Sequence, residues 1–568
     1  MPWKKIVREK QASRSARLEV VLAPSNLKVV DEVYLAATAP QIVQNIQKHE
    51  PGWTAENVLT AFARRAIRAQ EVTNCLTEVM IIDALEDARR LDREFAQTNV
   101  IKGPLHGVPV SFKDMYNVKG YDSSLGFTKY SQLPMAEDAE LVAQVRAAGG
   151  IPFVKTNVPQ TMMAWECANP VFGRTLNPWS ANHTCGGSSG GEGALLGCDG
   201  SALGFGSDIG GSLRIPTSFC GAYSLKPGGS RFTSDGTRVC LPGFEAFRDC
   251  KGPMGRSVED IELACRVLFG KSNLLHDWLP PVAYRDIQLA PKLKFGYFKS
   301  DTLMRASPAV QRAVQETIDA LRSQGHECVE FAVPDMVEMA RIFVALTAAD
   351  GHETLLSHLG SDDRDSSLFL LTLGPRLPGF VRNFVAFGAR LVLGDPIFEK
   401  LFTNSRSRSV TEYWAEAAKR DRYSKLFFKE VWEKHAFDGL VCPVNALPTI
   451  PHGTCADLAP LALTTALFNV VDHPVGVVPV TRVDKAKDQL TDEWRESGAK
   501  GSSFIYAKAY EGKKPAYDAT AMHGIPIGVQ IVGKPWEDEK VIEMMKVVDV
   551  ALGKRDFGPG VWGAKQTL

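Results

Sequence analysis

The chain has 568 residues, 45% of them hydrophobic, which is enough apolar surface for a large core. Lys plus Arg and Asp plus Glu each total 65, so the formal net charge is zero, and nucleic acid or another highly charged partner is not expected. The 11 cysteines are odd in number and form no C-x-x-C pair, which points to reduced thiols in the cytoplasm, and without an H-E-x-x-H motif no metal site is expected.

Met1 to Arg17 is basic and polar and lacks the apolar stretch of a secretory signal, while Glu9 and Glu19 disfavour a transit peptide. No apolar run reaches the roughly 18–20 residues of a membrane span. A cytoplasmic protein, free or peripheral on intracellular membranes, is therefore expected. Residues 1–54 read as an N-terminal arm and 55–568 as the main domain. Residues 53–97 read as helical: Val58, Leu59 and Phe62 share one face, and Ala84, Ala88, Leu91 and Phe95 another. Arg64, Arg65 and Arg68 read as a solvated face.

Val108, Val110 and Phe112 alternate with Pro109, Ser111 and Lys113, which predicts a short strand ending at Lys113. Residues 136–148 read as a helix closed by Gly149-Gly150, and 151–154 as a strand. This strand–helix–strand alternation implies an α/β sheet. Residues 177–183 read as turn-like. Two glycine clusters follow, Gly186-Gly187-Ser188-Ser189-Gly190-Gly191-Glu192-Gly193 and Gly206-Ser207-Asp208-Ile209-Gly210-Gly211-Ser212. Each holds serine hydroxyls, and such loops expose N–H groups to a developing negative charge. The chemistry suggested is acyl transfer, with a general base supplied from elsewhere, and Lys113 is the best candidate. Glu192 reads as a cap for a helix starting near Ser189, and Arg214 as an ion-pair partner of Asp208.

Farther on, Ser257-Val258-Glu259-Asp260 carries a helix-capping signal, and Ser307-Pro308 opens a helix that closes at Gly325. Residues 293–298, 328–333, 437–444, 475–480 and 525–532 read as strands, the last three as buried ones. Residues 484–515 read as a surface excursion and 538–552 as a closing helix. Residues 368–402 are rich in large apolar side chains. A helix over 380–393 places Phe380, Phe384, Phe387 and Leu391 on one face, with Arg382, Asn383 and Arg390 opposite. That face suits a membrane interface, the protein core or a homodimer contact.

Taken together, Lys113 and the two glycine–serine elements resemble the amidase signature family, over about residues 55–555. Asn157-Val158-Pro159-Gln160, Asn169-Pro170 and Asn177-Pro178-Trp179 are similar to both its fatty acid amide hydrolase and fungal acetamidase groups. Gly476-Val477-Val478-Pro479-Val480-Thr481 leans toward the former. The resemblance implies one α/β domain with a central mixed, twisted sheet wrapped by helices, and a serine amidohydrolase needing no cofactor. It implies Ser212 as nucleophile, Ser188 as proton bridge behind a cis peptide bond, and Lys113 as base. The N–H groups of Ile209, Gly210, Gly211 and Ser212 would form the oxyanion hole, Ser189 would support Lys113, and Asp208 and Arg214 would brace the loop. Met162, Met163 and Trp165 would line the acyl site, and 368–402 would be a hydrophobic membrane cap. Fatty acid amides are the favoured substrates, with short aliphatic amides as the alternative. Two rival readings stand beside it. Gly186-Gly187-Ser188-Ser189-Gly190 fits the G-x-S-x-G elbow of α/β-hydrolases, which requires a preceding strand, and some family members are amidotransferase subunits.

Overall fold

The computed structural model describes residues 2–22, 30–229, 231–271, 279–496 and 501–566. Its frame is one mixed sheet of eleven strands among these residues. In chain order the strands are β1 (Leu76–Val79), β2 (Pro109–Lys113), β3 (Ile151–Thr156), β4 (Leu203–Asp208), β5 (Tyr223–Lys226) and β6 (Cys250–Gly255). The second half contributes β7 (Lys294–Tyr297), β8 (Glu327–Glu330), β9 (Gly439–Pro443), β10 (Val475–Arg482) and β11 (Pro526–Val532). Across the sheet the order is β1-β3-β2-β4-β6-β5-β10-β11-β9-β7-β8. β2 runs parallel to both β3 and β4, while β4, β6, β5, β10 and β11 alternate antiparallel. The central strands are apolar on both faces because helices cover both sides, which is why they read as unbroken hydrophobic runs. The molecule is thus a single α/β domain around a large mixed sheet.

The interruption of the first helical stretch has a local cause. Helix Ala55–Thr73 ends at Asn74, which takes a left-handed conformation (φ 56°), and the chain then pairs as β1 against β3 before helix Ile81–Thr98 begins. Helical period alone hid this four-residue strand. Arg65 does not belong to a solvated face: it is buried, bonded to Glu32 at 2.5 Å and close to Asp199. The helix after β2 starts at Glu140, since Ala136 to Ala139 run extended or bent. Residues 177–183 are not simply a turn, because Leu176–Asn177 and Ser180–Thr184 form a small hairpin outside the main sheet. Nor is 484–515 a plain excursion: helix Ser503–Tyr510 buries Ile505, Tyr506 and Tyr510, while 497–500 lie outside the described residues.

The amino-terminal helix Pro2–Leu22 docks on the domain. Lys10 Nζ reaches the buried Glu78 and, at 2.6 Å, Asp122, while Arg14 donates to the Leu76 carbonyl at 2.6 Å. No helix among the described residues is long and apolar enough to cross a membrane.

Candidate active site

Three neighbouring strands set the site. β2 ends at Lys113, the parallel β4 ends at Ser207 and Asp208, and β6 places Lys251 across from Ser207. Successive side chains of a strand point to opposite faces. Lys113 and Asp114 therefore part company. Asp114 accepts from Thr77, Ser124 and the Leu125 N–H and lies 3.6 Å from Lys155. Lys113 is fully buried on the other side and donates to Ser188 Oγ at 2.7 Å and Ser207 Oγ at 2.8 Å. Burial pulls its ammonium down to about 8, with Asp249 and Asp208 pulling the other way and Lys251 reinforcing the fall.

The glycine loops are shaped by close approach. The Gly187–Ser188 peptide is cis. Gly211 has φ +133°, and a Cβ there would meet Thr465 Oγ1 at 2.3 Å, so the position admits glycine alone. Arg214 grips Asp208 with two hydrogen bonds, of 3.0 and 2.9 Å, and also donates to Thr465 O, Gln530 and Asn469. Burial opposes ionisation of Asp208, but the Arg214 charge and its hydrogen bonds hold the carboxyl well below its ordinary range. Thr465 Oγ1 in turn donates to the Gly210 carbonyl at 2.7 Å. The loop is therefore pinned from both sides. Asp208 also takes the Gly211 N–H, at 2.8 Å. Of the four expected oxyanion donors this one is already committed. The N–H groups of Ile209, Gly210 and Ser212 have no acceptor among the described residues.

Ser212 stands where two cavities meet. One is lined by Met162, Met163, Trp165, the Ile209–Ser212 loop and apolar side chains such as Phe343 and Phe402. The other is more polar and is lined in part by Ser188, Ser207, Ser212, Asp249 and Lys251. Lys251 and Asp249 pair there at 2.7 Å. Met162, Met163 and Trp165 thus lie on the wall of a cavity that reaches Ser212.

Ser189 sits differently from expectation. Among the described residues its hydroxyl makes only long contacts, of 3.4 Å, with the Ser207 backbone, and the hydroxyl that holds Lys113 beside Ser188 is that of Ser207. Ser207 was visible in the sequence as a hydroxyl of the second glycine cluster, standing where the family usually has threonine, but not as a contact of Lys113. Glu192 lies in the first turn of helix Gly190–Gly197, yet its carboxyl is buried in the sheet and accepts from Ser111 at 2.6 Å and Thr156 at 2.9 Å. Burial pushes it up to about 8, against those hydrogen bonds. Ser188 and Ser212 share the polar cavity, but no hydrogen bond joins their hydroxyls among the described residues. The elbow reading fares worse. A strand, Ser180–Thr184, does precede the loop, but Ser188 meets a lysine, and the nearby His183 is bonded to Ser180 at 2.7 Å.

The amidase family profile matches residues 57–542. Fatty acid amide hydrolase 1 of Caenorhabditis elegans is 33% identical over 506 residues, covering 88% of this chain and 86% of its own. An acetamidase of Emericella nidulans is 30% identical over 547 residues, 94% of this chain and 91% of its own. Among solved structures, a fatty acid amide hydrolase superposes with a TM-score of 0.79 at 25% identity, covering 98% of this chain and 91% of that one.

Proposed function

Because the chain belongs to the amidase signature family, and so is a hydrolase of amide C–N bonds, we propose that it cleaves fatty acid amides. N-acylethanolamines and primary fatty amides would yield the free acid and an amine or ammonia. The observation that carries this reading is the buried Lys113, held by the hydroxyls of Ser188 and Ser207 in a cavity that meets a more apolar one at Ser212.

In this reading neutral Lys113 accepts a proton from Ser188 as Ser188 takes one from Ser212. The Ser212 oxygen attacks the amide carbon, and the N–H groups of Ile209, Gly210 and Ser212 receive the oxyanion. A serine is a weak nucleophile until a base takes its proton, and burial of Lys113 supplies a base poised near neutral pH. The relay then runs backward. Ser188 delivers the proton to the leaving nitrogen, the C–N bond breaks, and the acyl group stays on Ser212. Water, activated by the same relay, attacks the ester and releases the acid. The apolar cavity takes the acyl chain and the polar one the leaving amine, because an aliphatic chain gains about 0.8 kcal/mol per buried methylene.

Helix Gly379–Leu393 supports a lipid source for the substrate. Phe380, Phe384 and Leu391 are 78%, 76% and 75% exposed, so this face is not packed on the described protein. The arginines divide: Arg382 turns inward, while Arg390 is exposed and pairs with Glu399 at 3.2 Å. The adjoining helix Pro396–Asn404 lines the apolar cavity through Phe398, Leu401 and Phe402. A face docked on a bilayer would thus adjoin the cavity wall.

The acetamidase relative favours a second reading, in which short aliphatic amides are the substrates. A series of primary amides from acetamide to oleamide decides between them. The fatty acid reading predicts kcat/KM rising by about fourfold per methylene until the cavity is filled. A flat or falling series supports the short-chain reading.

A further inference from the structure

The polar cavity holds two charges that the proton relay does not use. Asp249 immediately precedes β6, and Lys251 is the second residue of that strand. Side chains two apart on a strand share a face, and Lys251 Nζ donates to Asp249 Oδ2 at 2.7 Å. Among the described residues these are the two charged side chains lining the cavity, which Ser188, Ser212 and the apolar Val239, Leu241 and Phe244 also line. A buried ion pair seldom stabilises a fold more than apolar side chains of like volume, so stability alone does not explain this one.

The pair is not symmetric. The Lys251 side chain is 1% exposed and that of Asp249 is 26% exposed. Lys251 occupies Asp249 Oδ2, while Oδ1 has no hydrogen-bond partner among the described residues and remains accessible. The lysine thus lies behind and the carboxylate in front, a dipole whose negative end faces the cavity. Attraction between charges strengthens where water is partly excluded, and a hydrogen bond to a carboxylate is strongest from a charged donor. A carboxylate on the leaving amine would meet Asp249 first and be repelled. A methyl group would offer Oδ1 nothing. An ammonium group both donates to Oδ1 and opposes its charge.

We propose that Asp249 is a specificity-determining residue that selects amides whose leaving amine carries a second, protonated amine, so that N-acyl diamines are preferred substrates. This rests on the reading that the polar cavity receives the leaving amine, and not on the length of the acyl chain. Water gives its hydroxyl to the acyl carbon and its remaining hydrogen to the departing nitrogen, which leaves as the free diamine. The test uses amides of linear diamines, each compared with its isostere ending in methyl and with one ending in carboxylate. Each is made with an oleoyl and with an acetyl group, beside oleamide and acetamide. At one diamine length, or two adjacent ones, the parent should favour ammonium over methyl in kcat/KM by about 5- to 20-fold, with carboxylate below both. Asp249→Asn should bring that ratio within about twofold of unity. It also strips Lys251 of its counter-charge, so Asp249→Asn with Lys251→Met, which removes both charges, guards against loss of fold and should give the same ratio. The ratio is read within each variant, because both groups also act on Lys113. No preference for ammonium over methyl at any length in the parent, or a preference surviving in both variants, overturns the proposal. A preference for carboxylate overturns it too and moves the contact to Lys251. Cleavage confined to the acetyl series removes the fatty acid reading, and the ratio in that series still decides this inference. Cleavage of the primary amides but of no diamine amide removes this inference alone, and cleavage of none removes the proposed function with it.

Discussion

Lys113 acquires its chemistry from what the fold withholds. Among the described residues no carboxylate pairs with it directly, and only serine hydroxyls hold its nitrogen. A lysine lowered from 10.5 to about 8 is largely protonated at pH 7 and largely free base above pH 9. Activity carried by the free base should rise with pH through a limb near 8, with no histidine limb near 6.5; a pH profile of kcat/KM checks this. Ser207→Ala should lower kcat/KM about 10- to 100-fold, because a hydrogen bond to a charged group is worth about 1.5–3 kcal/mol. Ser189→Ala should cost much less, as its hydroxyl makes only 3.4 Å contacts with backbone. Steady-state kinetics on the two variants separates them. Lys113, Ser188 and Ser212 were legible because glycine–serine clusters are rare and their order is distinctive. The contact of Ser207 with Lys113 was not, because it depends on the register of β2 against β4, which no local pattern encodes.

Among the described elements, helix Gly379–Leu393 leaves an apolar face in water. Burying a phenylalanine or leucine side chain gains about 1.5–3 kcal/mol, so the exposed face has a strong incentive to find a cover. Phe384→Glu with Phe387→Glu should abolish binding to liposomes and raise KM for oleamide presented in vesicles, while a short soluble amide is hydrolysed as before. Both positions are exposed, so thermal stability should hold. The loop above β4 behaves oppositely. Arg214→Met strands the buried Asp208 carboxylate and should cost about 3–5 kcal/mol of unfolding free energy, read by urea titration. The period of the 380–393 helix was visible in the sequence, but which of its faces meets the protein was not. Arg65 was read as solvated but is buried near Asp199, far away in sequence, and Arg382, expected opposite the apolar face, is buried beside the Gly374 carbonyl. The strand at 76–79 was likewise hidden, because four apolar-flanked residues between two long helices carry too little period to stand out.

At the scale of the molecule, one sheet brings the ends of β2, β4 and β6 together, and two cavities of unlike polarity converge on Ser212. That convergence gives the account its direction: acyl chain on one side, leaving amine on the other, and the covalent bond at Ser212 between them. The α/β alternation was legible from strand and helix signals, whereas the convergence arises only when strands far apart in sequence become neighbours. The claim that Ser212 carries the acyl group is tested most directly by acid-quenching the enzyme during steady turnover of oleamide and mapping its peptides by mass spectrometry. The account predicts one oleoyl adduct, on the peptide containing Ser212, absent from Ser212→Ala. An adduct on Ser188 instead, or turnover by Ser212→Ala at the parent's rate, would contradict it.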